Sequence, residues 1–448
     1  MLTLATRRAV VIGGDAAGMT AASRIRATDA TMEVVVLEQS RFTSYSACGI
    51  PYLVGGQVSG GVERLIVRHP VEHRRRGIDV RIDHEATAVD TAAGHVEYLD
   101  RHAGEVRRLG YDELLIATGG APIRPQLPGI DLPFIRGVQT LEDAERLLAL
   151  AEQGCHRTVI VGGGYIGLEM AEAFIDRGCT ATVVEKGPQP LRLLDADLGA
   201  QVGQAMTDYG IDVRTETDVS GFEPGRVLTP AGPIEADLVV LGIGVRPRAD
   251  VAEAAGIVLG PTGAISVDRR QATKAEHVWA AGDCAESEHL VTGRPVHIAL
   301  GTYANKHGRV AGINMAGGDA RSRPVLGTAI TRLCSHEVAL TGVRQDEARA
   351  AGLDAVAVTI ETTTHSGYLP STRPMTVRLA VERGTGRLLG AQIVGGPGAA
   401  KRIDTVATAI TAGMTVEDVA ELDLAYAPPF ASVWDPIAQA AREALRAV

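Results

Sequence analysis

The sequence predicts an α/β protein with two parallel-sheet units of one design. The main observation is an internal repeat: residues 9–38 (AVVIGGDAAGMTAASRIRATDATMEVVVLE) and 158–185 (TVIVGGGYIGLEMAEAFIDRGCTATVVE) carry the same pattern. Each is a β-branched apolar strand, a glycine-rich turn, a helix of small residues and a second apolar strand closing on a glutamate. The second observation is that further apolar runs end on tight turns, at 114–120 and 241–244, and that 273–283 ends a strand on Gly-Asp. The third is length: 448 residues exceed one hydrophobic core and suit two or three domains.

In the first unit the turn is Gly13, Gly14, Asp15, Ala16, Ala17, Gly18. Its first glycine permits the tight bend, and the bend brings backbone N–H groups and a helix N-terminus against a pyrophosphate. The closing acid, Glu38, binds the hydroxyls of an adenosine ribose. The second unit is the complete form of this dinucleotide-binding motif, with Gly162, Gly164, Tyr165, Ile166, Gly167 and the acid Glu185. The first departs from it, because Asp15 stands where the second glycine belongs. Asp15 is therefore expected to point away from the phosphates and toward a flavin. Two nucleotide units in one chain imply that one nucleotide donates to the other. Asp283, at the end of the Gly-Asp stretch, suits a polyol such as the ribityl chain of FAD.

Composition narrows the function. Aromatic residues are 4%, which argues against a stacking platform for single strands. The net charge of −10 makes nucleic acid and anionic membrane poor partners. No apolar run is long enough to span a bilayer, and the chain enters its first strand with no signal-peptide layout, so a cytoplasmic location is expected. Five cysteines without CxxC spacing argue against a disulfide framework or a zinc ribbon, and no metal is expected.

These motifs, in this order, resemble the pyridine nucleotide-disulfide oxidoreductases over essentially the whole chain. The resemblance implies a glutathione reductase-like FAD/NAD(P) fold with two Rossmann-like units and a C-terminal α+β dimerisation domain. It implies an FAD-binding domain from 1–115 and 245–323, an NAD(P)-binding domain at 116–244 and a dimerisation domain at 324–448. Gln39, Ala86, Ala117, Thr118, Gly119, Ala299, Leu300 and Phe430 join Asp283 as implied flavin contacts, and Gly242, Ile243 and Gly244 as nicotinamide-nucleotide contacts. The helix expected over 299–305 aims its N-terminus at the pyrimidine side of the flavin ring. For the nucleotide, Glu185 favours the free 2′-hydroxyl of NADH, whereas Lys186 suits the 2′-phosphate of NADPH.

Members like glutathione reductase carry CxxxxC after the first unit. Here the segment reads Ser44-Tyr45-Ser46-Ala47-Cys48-Gly49-Ile50-Pro51-Tyr52-Leu53, so leucine replaces the second cysteine. A single cysteine in CGxPY, with 425–430 reading AYAPPF, is similar to the coenzyme A disulfide reductase branch; NADH oxidases and peroxidases are near relatives. The implied activity is NAD(P)H-dependent reduction of coenzyme A disulfide, or a related small disulfide or persulfide, in a homodimer. An NADH oxidase and a redox-sensing flavoprotein that rarely turns over are the alternatives. Cys48 would act as thiolate, lowered by a short helix opening at Gly49-Ile50-Pro51. Tyr426 and Tyr368 would protonate the leaving thiolate across the dimer, although Tyr368 equally suits a strand or turn aromatic. Histidine stands near the first glycine loop in the oxidase and peroxidase relatives; an ionised Asp15 cannot donate a proton in its place.

Arg24 and Asn305 are implied contacts for the phosphorylated substrate, while Arg74-Arg75-Arg76 reads as solvated helix surface. Cys155, Cys179, Cys284 and Cys334 read as packing residues. His69 and His73 have i,i+4 spacing but no third ligand.

Overall fold

A computed structural model describes residues 6–448. The first repeat lies in a five-stranded parallel sheet, ordered Val278–Ala280, Glu113–Ile116, Arg8–Ile12, Glu33–Leu37, Asp79–Arg81. The second lies in a matching parallel sheet, ordered Asp212–Arg214, Thr180–Val184, Arg157–Val161, Leu238–Leu241, Ile135–Arg136. The central strands are apolar at nearly every position because helices or further chain cover both faces.

In each sheet the strand before the glycine loop pairs with the strand before the next tight turn. Ile12 is level with Ile116, and Val161 with Leu241. The turns at 117–120 and 242–244 therefore abut the two glycine loops. In the first sheet Val278–Ala280 lies beyond Glu113–Ile116 and carries Gly282-Asp283 to the same carboxyl edge, where ligands of such sheets bind. The chain crosses between the two units through a short antiparallel pair, Gly120–Pro122 with Val245–Pro247.

Beyond residue 324 the periodicity changes. A five-stranded antiparallel sheet, ordered Ala329–Leu333, His336–Gly342, Leu388–Gly395, Pro374–Glu382, Ala355–Thr363, packs against helices Ile403–Ala412 and Pro436–Ala444. It is tied to the second unit by Arg378, whose guanidinium meets Asp195 at 2.8 Å and Asp197 at 2.6 Å. One expectation needs correction. The helix expected from Ala299 begins at Gly301; Leu300 is its extended N-cap (φ −132°, ψ 129°), and Ala299 precedes it. Among the described residues no helix is long and apolar enough to cross a membrane, and no cluster of His, Cys, Asp or Glu could hold a metal ion.

Candidate active site

The first glycine loop is closed by contacts that only glycine permits. Gly13 has φ +107°, and a Cβ there would lie 2.1 Å from the Ala117 carbonyl oxygen; one at Gly18 would lie 1.9 Å from the Gly13 oxygen. Ala117 donates its N–H to Ile12, and Thr118 Oγ1 donates to the Arg248 carbonyl at 2.5 Å, so the turn ending at Gly119 (φ +71°) is pinned. Glu38 accepts from the Gly14 N–H at 2.7 Å and the Ser40 N–H at 2.8 Å. His84 donates its N–H to the Glu38 carbonyl, placing the strand that carries Ala86 beside it. A cavity of about 400 Å³ opens immediately beyond, lined by Gln39, Ser40, Arg41, Thr140 and Arg146 among others.

Helix Ala16–Thr28 starts with no side-chain cap and no acid in its first turn. Its leading N–H groups are thus open to an anion. A Cβ at Gly308 would lie 2.1 Å from the Ala17 oxygen, and one at Gly282 would lie 2.9 Å from the Ala17 Cβ. These small residues seat helix Gly301–Met315 and the Asp283 turn directly on the first helix. Burial pushes the Glu38 and Asp283 carboxyls up. Asp15 is pushed up to about 7, first by burial and then by the charges of Glu38 and Asp283. An ionised Asp15 still cannot donate a proton, but a carboxyl raised this far is protonated part of the time near neutral pH. Its Oδ1 turns to the Tyr45 N–H, 3.0 Å away.

The second loop repeats the first. Gly162 has φ +103°, and a Cβ there would lie 2.6 Å from the Gly242 oxygen; one at Gly167 would lie 2.2 Å from the Gly162 oxygen. Glu185 accepts from the Gly163 N–H at 2.8 Å and the Gly187 N–H at 2.6 Å. Helix Tyr165–Asp176 again lacks a side-chain cap and an acid in its first turn. Tyr165 has a buried hydroxyl with no partner. Ile166 packs against the apolar core, Ile243 against the opposite one, and Gly244 has φ +111°. Lys186 is held by Asp218 at 2.8 Å. Both cradles fit a dinucleotide: close backbone where a side chain would intrude, a bare helix N-terminus, and an acid anchored by its own loop.

The cysteine loop is tied to the first cradle. Ser44 donates its N–H to the Gly14 carbonyl at 3.1 Å, beside the Tyr45–Asp15 bond; Ser46 donates to Leu65 on the other side. Cys48 sits in the turn Ala47–Gly49, ahead of helix Ile50–Val54, and is exposed. Leu53, in place of a second cysteine, is buried in the core. The expected lowering of the thiol pKa is not found. Partial enclosure of the sulfur pushes it up, and the charges of Glu169 and Asp283 add to this, outweighing the backbone at the short helix. Glu169 is a site residue that the sequence reading missed. It lies one turn inside the helix that opens at Gly164, and its Oε1 accepts from Thr331 Oγ1 at 2.5 Å. An acid inside the apolar run YIGLEMAEAF was the available signal. His73 is a structural residue that supports the cysteine loop. It is buried, and its Nε2 lies 3.0 Å from Ser44 Oγ.

The remaining candidates lie on the surface. Arg24 is exposed and Asn305 is engaged, accepting from Thr20 Oγ1 at 2.8 Å and donating to the Gly301 carbonyl at 2.9 Å. Tyr368, Tyr426 and Phe430 are 75%, 49% and 76% exposed in the isolated subunit. Cys284 is fully buried, Cys179 is buried, and Cys155 and Cys334 are half-buried.

Two dinucleotide cradles, with one thiol on the loop tied to the first, define an oxidoreductase of the two-nucleotide flavoprotein class. The chain belongs to the pyridine nucleotide-disulphide oxidoreductase family, which uses FAD and NAD(P)H: it matches that family over residues 7–308 and the family's dimerisation domain over 328–437. It is 37% identical over 450 residues to the NAD(P)H coenzyme A polysulfide/persulfide reductase of Pyrococcus horikoshii, covering 97% of this chain and 98% of that one. It is 33% identical to an NADH oxidase of Methanocaldococcus jannaschii, covering 98% and 99%. The structure of an NAD-dependent persulfide reductase from A. fulgidus superposes with a TM-score of 0.95 at 37% identity, over 98% of this chain and 83% of that one.

Proposed function

We propose that this enzyme uses NADH to reduce low-molecular-weight disulfides or persulfides, coenzyme A disulfide among them, through Cys48. One observation carries the reading. Cys48 stands alone on a loop bonded to the first glycine turn, and the place of a second cysteine is taken by buried Leu53. With no neighbouring thiol, the oxidised state of Cys48 is a bond to the substrate's own sulfur.

FAD, when bound, relays an electron pair from the nicotinamide to sulfur. Gly13, Gly14, Ala16, Ala17 and Gly18 would hold its pyrophosphate, Glu38 its ribose and Asp283 its ribityl chain, with the Asp15 carboxyl turned away from the phosphates to the Tyr45 N–H. The Cys48 thiolate attacks one sulfur of the disulfide, the S–S bond breaks, and the departing thiolate takes a proton. Two electrons and one further proton then return Cys48 to its free form and release the second thiol. A persulfide would yield one thiol and hydrogen sulfide by the same sequence. Lys186 is occupied by Asp218, which supports NADH over NADPH.

The working unit in this reading is a cytoplasmic homodimer. Its domains divide as 1–115 with 245–323, 116–244, and 324–448. Tyr426 and Tyr368 of one subunit serve as proton donors at the partner's Cys48, and the exposure of both in the isolated subunit supports this. A second reading, reduction of oxygen, draws support from Asp15, whose partly protonated carboxyl lies at the same loop.

Cys48→Ser tests the proposal. The variant is expected to keep its flavin and to accept electrons from NADH, while turnover with coenzyme A disulfide falls about a thousandfold. Full disulfide turnover by the variant would overturn the mechanism. Wild-type protein that consumes oxygen as fast as it consumes any disulfide would favour the second reading, and running both nucleotides in parallel checks the preference for NADH.

A further inference from the structure

Among the described residues five aromatic side chains are exposed: Tyr209, Tyr368, Tyr426, Phe430 and Trp434. Four of the five fall on two segments of the C-terminal domain. Tyr368 is at the tip of the connection between strands Ala355–Thr363 and Pro374–Glu382. Tyr426, Phe430 and Trp434 lie on the irregular stretch that leads into helix Pro436–Ala444. Each segment alone has little regular structure to hold a hydroxyl in place.

The two segments are fastened to one another by Arg402. Its guanidinium donates to the Thr364 carbonyl at 2.7 Å, to the Phe430 carbonyl at 2.6 Å and to Asp435 Oδ2 at 2.5 Å. The pair is well shielded, with side-chain exposures of 13% for Arg402 and 12% for Asp435. Two further bonds close the seam: the Ser366 N–H donates to the Pro428 carbonyl at 3.3 Å, and Ser366 Oγ donates to the Ala431 carbonyl at 3.4 Å. The placement has no explanation in the helical run that contains Arg402. It ends the 3-10 turn Ala400–Arg402 that runs into Ile403–Ala412, near a helix N-terminus where the dipole opposes a cation.

We propose that Arg402 is a positioning residue that joins the Tyr368 loop and the Tyr426 segment into one rigid face, so that both hydroxyls reach the partner's Cys48 together. This rests on the reading that those tyrosines act across the dimer. Three donors of a planar fork span three acceptors, and lysine, a point charge with one head group, cannot replace that geometry. Asp435 supplies the compensating charge and also caps the final helix, accepting from the Ile437 N–H at 2.8 Å.

The test is a double-mutant cycle on the flavin-loaded dimer. Arg402→Met keeps the length of the side chain and removes its donors. It is expected to dimerise, to be reduced by NADH within about twofold of the wild-type rate, and to lose about tenfold or more in kcat with coenzyme A disulfide. On that background Tyr426→Phe should add less than about twofold, because a misplaced hydroxyl has little left to lose. Wild-type disulfide turnover by dimeric Arg402→Met, or losses that multiply in full, would overturn the clamp. Should Arg402→Met not fold or dimerise, Asp435→Asn, which retains an oxygen to cap the helix, is put through the same cycle and judged by the same outcomes. Wild-type protein that reduces no disulfide would instead overturn the function proposed above, a result distinct from failure of the clamp.

Discussion

The two glycine loops are alike well past the repeat that is visible in the sequence, and then they part. Each closing acid binds the second residue of its loop, Glu38 to Gly14 at 2.7 Å and Glu185 to Gly163 at 2.8 Å, and each also accepts the N–H two residues on, at Ser40 and Gly187. Six residues after each acid comes a non-glycine residue in the left-handed region, Ser44 at φ 48° and Leu191 at φ 49°. Each returns its N–H to the loop, at the Gly14 and Gly163 carbonyls, 3.1 Å and 2.8 Å away. Beyond that point Ser44 leads to the Cys48 turn, while Leu191 leads to helix Ala196–Asp208. Inside the loop, Asp15 faces the position of Gly164. A Cβ at Gly164 would meet its nearest atom only at 3.4 Å. The chain itself does not require glycine there. What the backbone must close is the same in both units, and what a ligand or a thiol must meet is different.

The largest expected effect sets the two closures against each other. Gly13→Ala puts a methyl 2.1 Å from the Ala117 oxygen, in the strand-end turn of the flavin cradle, at φ +107°. We expect a loss above roughly 4 kcal/mol, seen as insoluble or flavin-free protein. Gly162→Ala meets the Gly242 oxygen at 2.6 Å. It is expected to fold and stay yellow while binding NADH at least about tenfold more weakly, since the strain falls on the nucleotide cradle alone. Titration of each purified variant with NADH decides. Equal damage by both would mean that the two closures are not independent.

Much of this comparison was legible in the chain. Glycines at 13, 18, 162 and 167 and acids at 38 and 185 mark positions where backbone geometry admits few residue types, so residue identity alone reports the structure. The α+β character of the C-terminal domain, and the meaning of a lone Cys48 with Leu53 five residues on, followed from the resemblance, whereas the antiparallel order of its sheet did not. Other features leave no such mark. Ser44 and Leu191 share a backbone angle but not a side-chain type, so their equivalence is invisible. Arg402 acts through carbonyls at 364 and 430, which any residue supplies. The Asp15 and Cys48 shifts arise from burial and from charges distant in sequence, which no local motif encodes. The helix expected from Ala299 starts two residues late because Leu300 is still extended.

Asp15 against Gly164 gives the next effect. Its carboxyl is raised from 3.8 to about 7, so the folded state holds a proton that the unfolded chain has released across the intervening pH range. For a raised acid the linkage sign is definite: stability is highest below the unfolded pKa and falls as pH climbs toward the folded one. Between pH 5 and pH 8 the flavin-free protein should lose roughly 3 kcal/mol on account of this group. Asp15→Asn should remove that part of the slope in urea unfolding, leaving what Glu38 and Asp283 contribute. An unchanged slope would show that Asp15 ionises normally, and the support it lends to oxygen reduction would fall.

The smallest effect probes the shared left-handed turn itself. A left-handed residue other than glycine carries about 1–2 kcal/mol of strain, which glycine relieves, less what glycine adds to the entropy of the unfolded chain. The surroundings of the two residues are quite different. Ser44 Oγ is 3.0 Å from the buried His73 ring, whereas Leu191 is 2% exposed within the apolar core. Truncation at Leu191 should therefore cost about 2–5 kcal/mol, against about 1–3 kcal/mol at Ser44 for the unpaired imidazole. Those losses are common to the alanine and the glycine variants at each site, so they cancel in the difference between the two. What remains is the backbone term. Glycine should exceed alanine by about 1 kcal/mol at both positions, despite the unequal absolute costs. Chemical denaturation of Ser44→Ala, Ser44→Gly, Leu191→Ala and Leu191→Gly measures the two differences directly. Alanine matching or exceeding glycine at one site alone would show that the turns are superficially alike, and that the repeat ends at its glutamates.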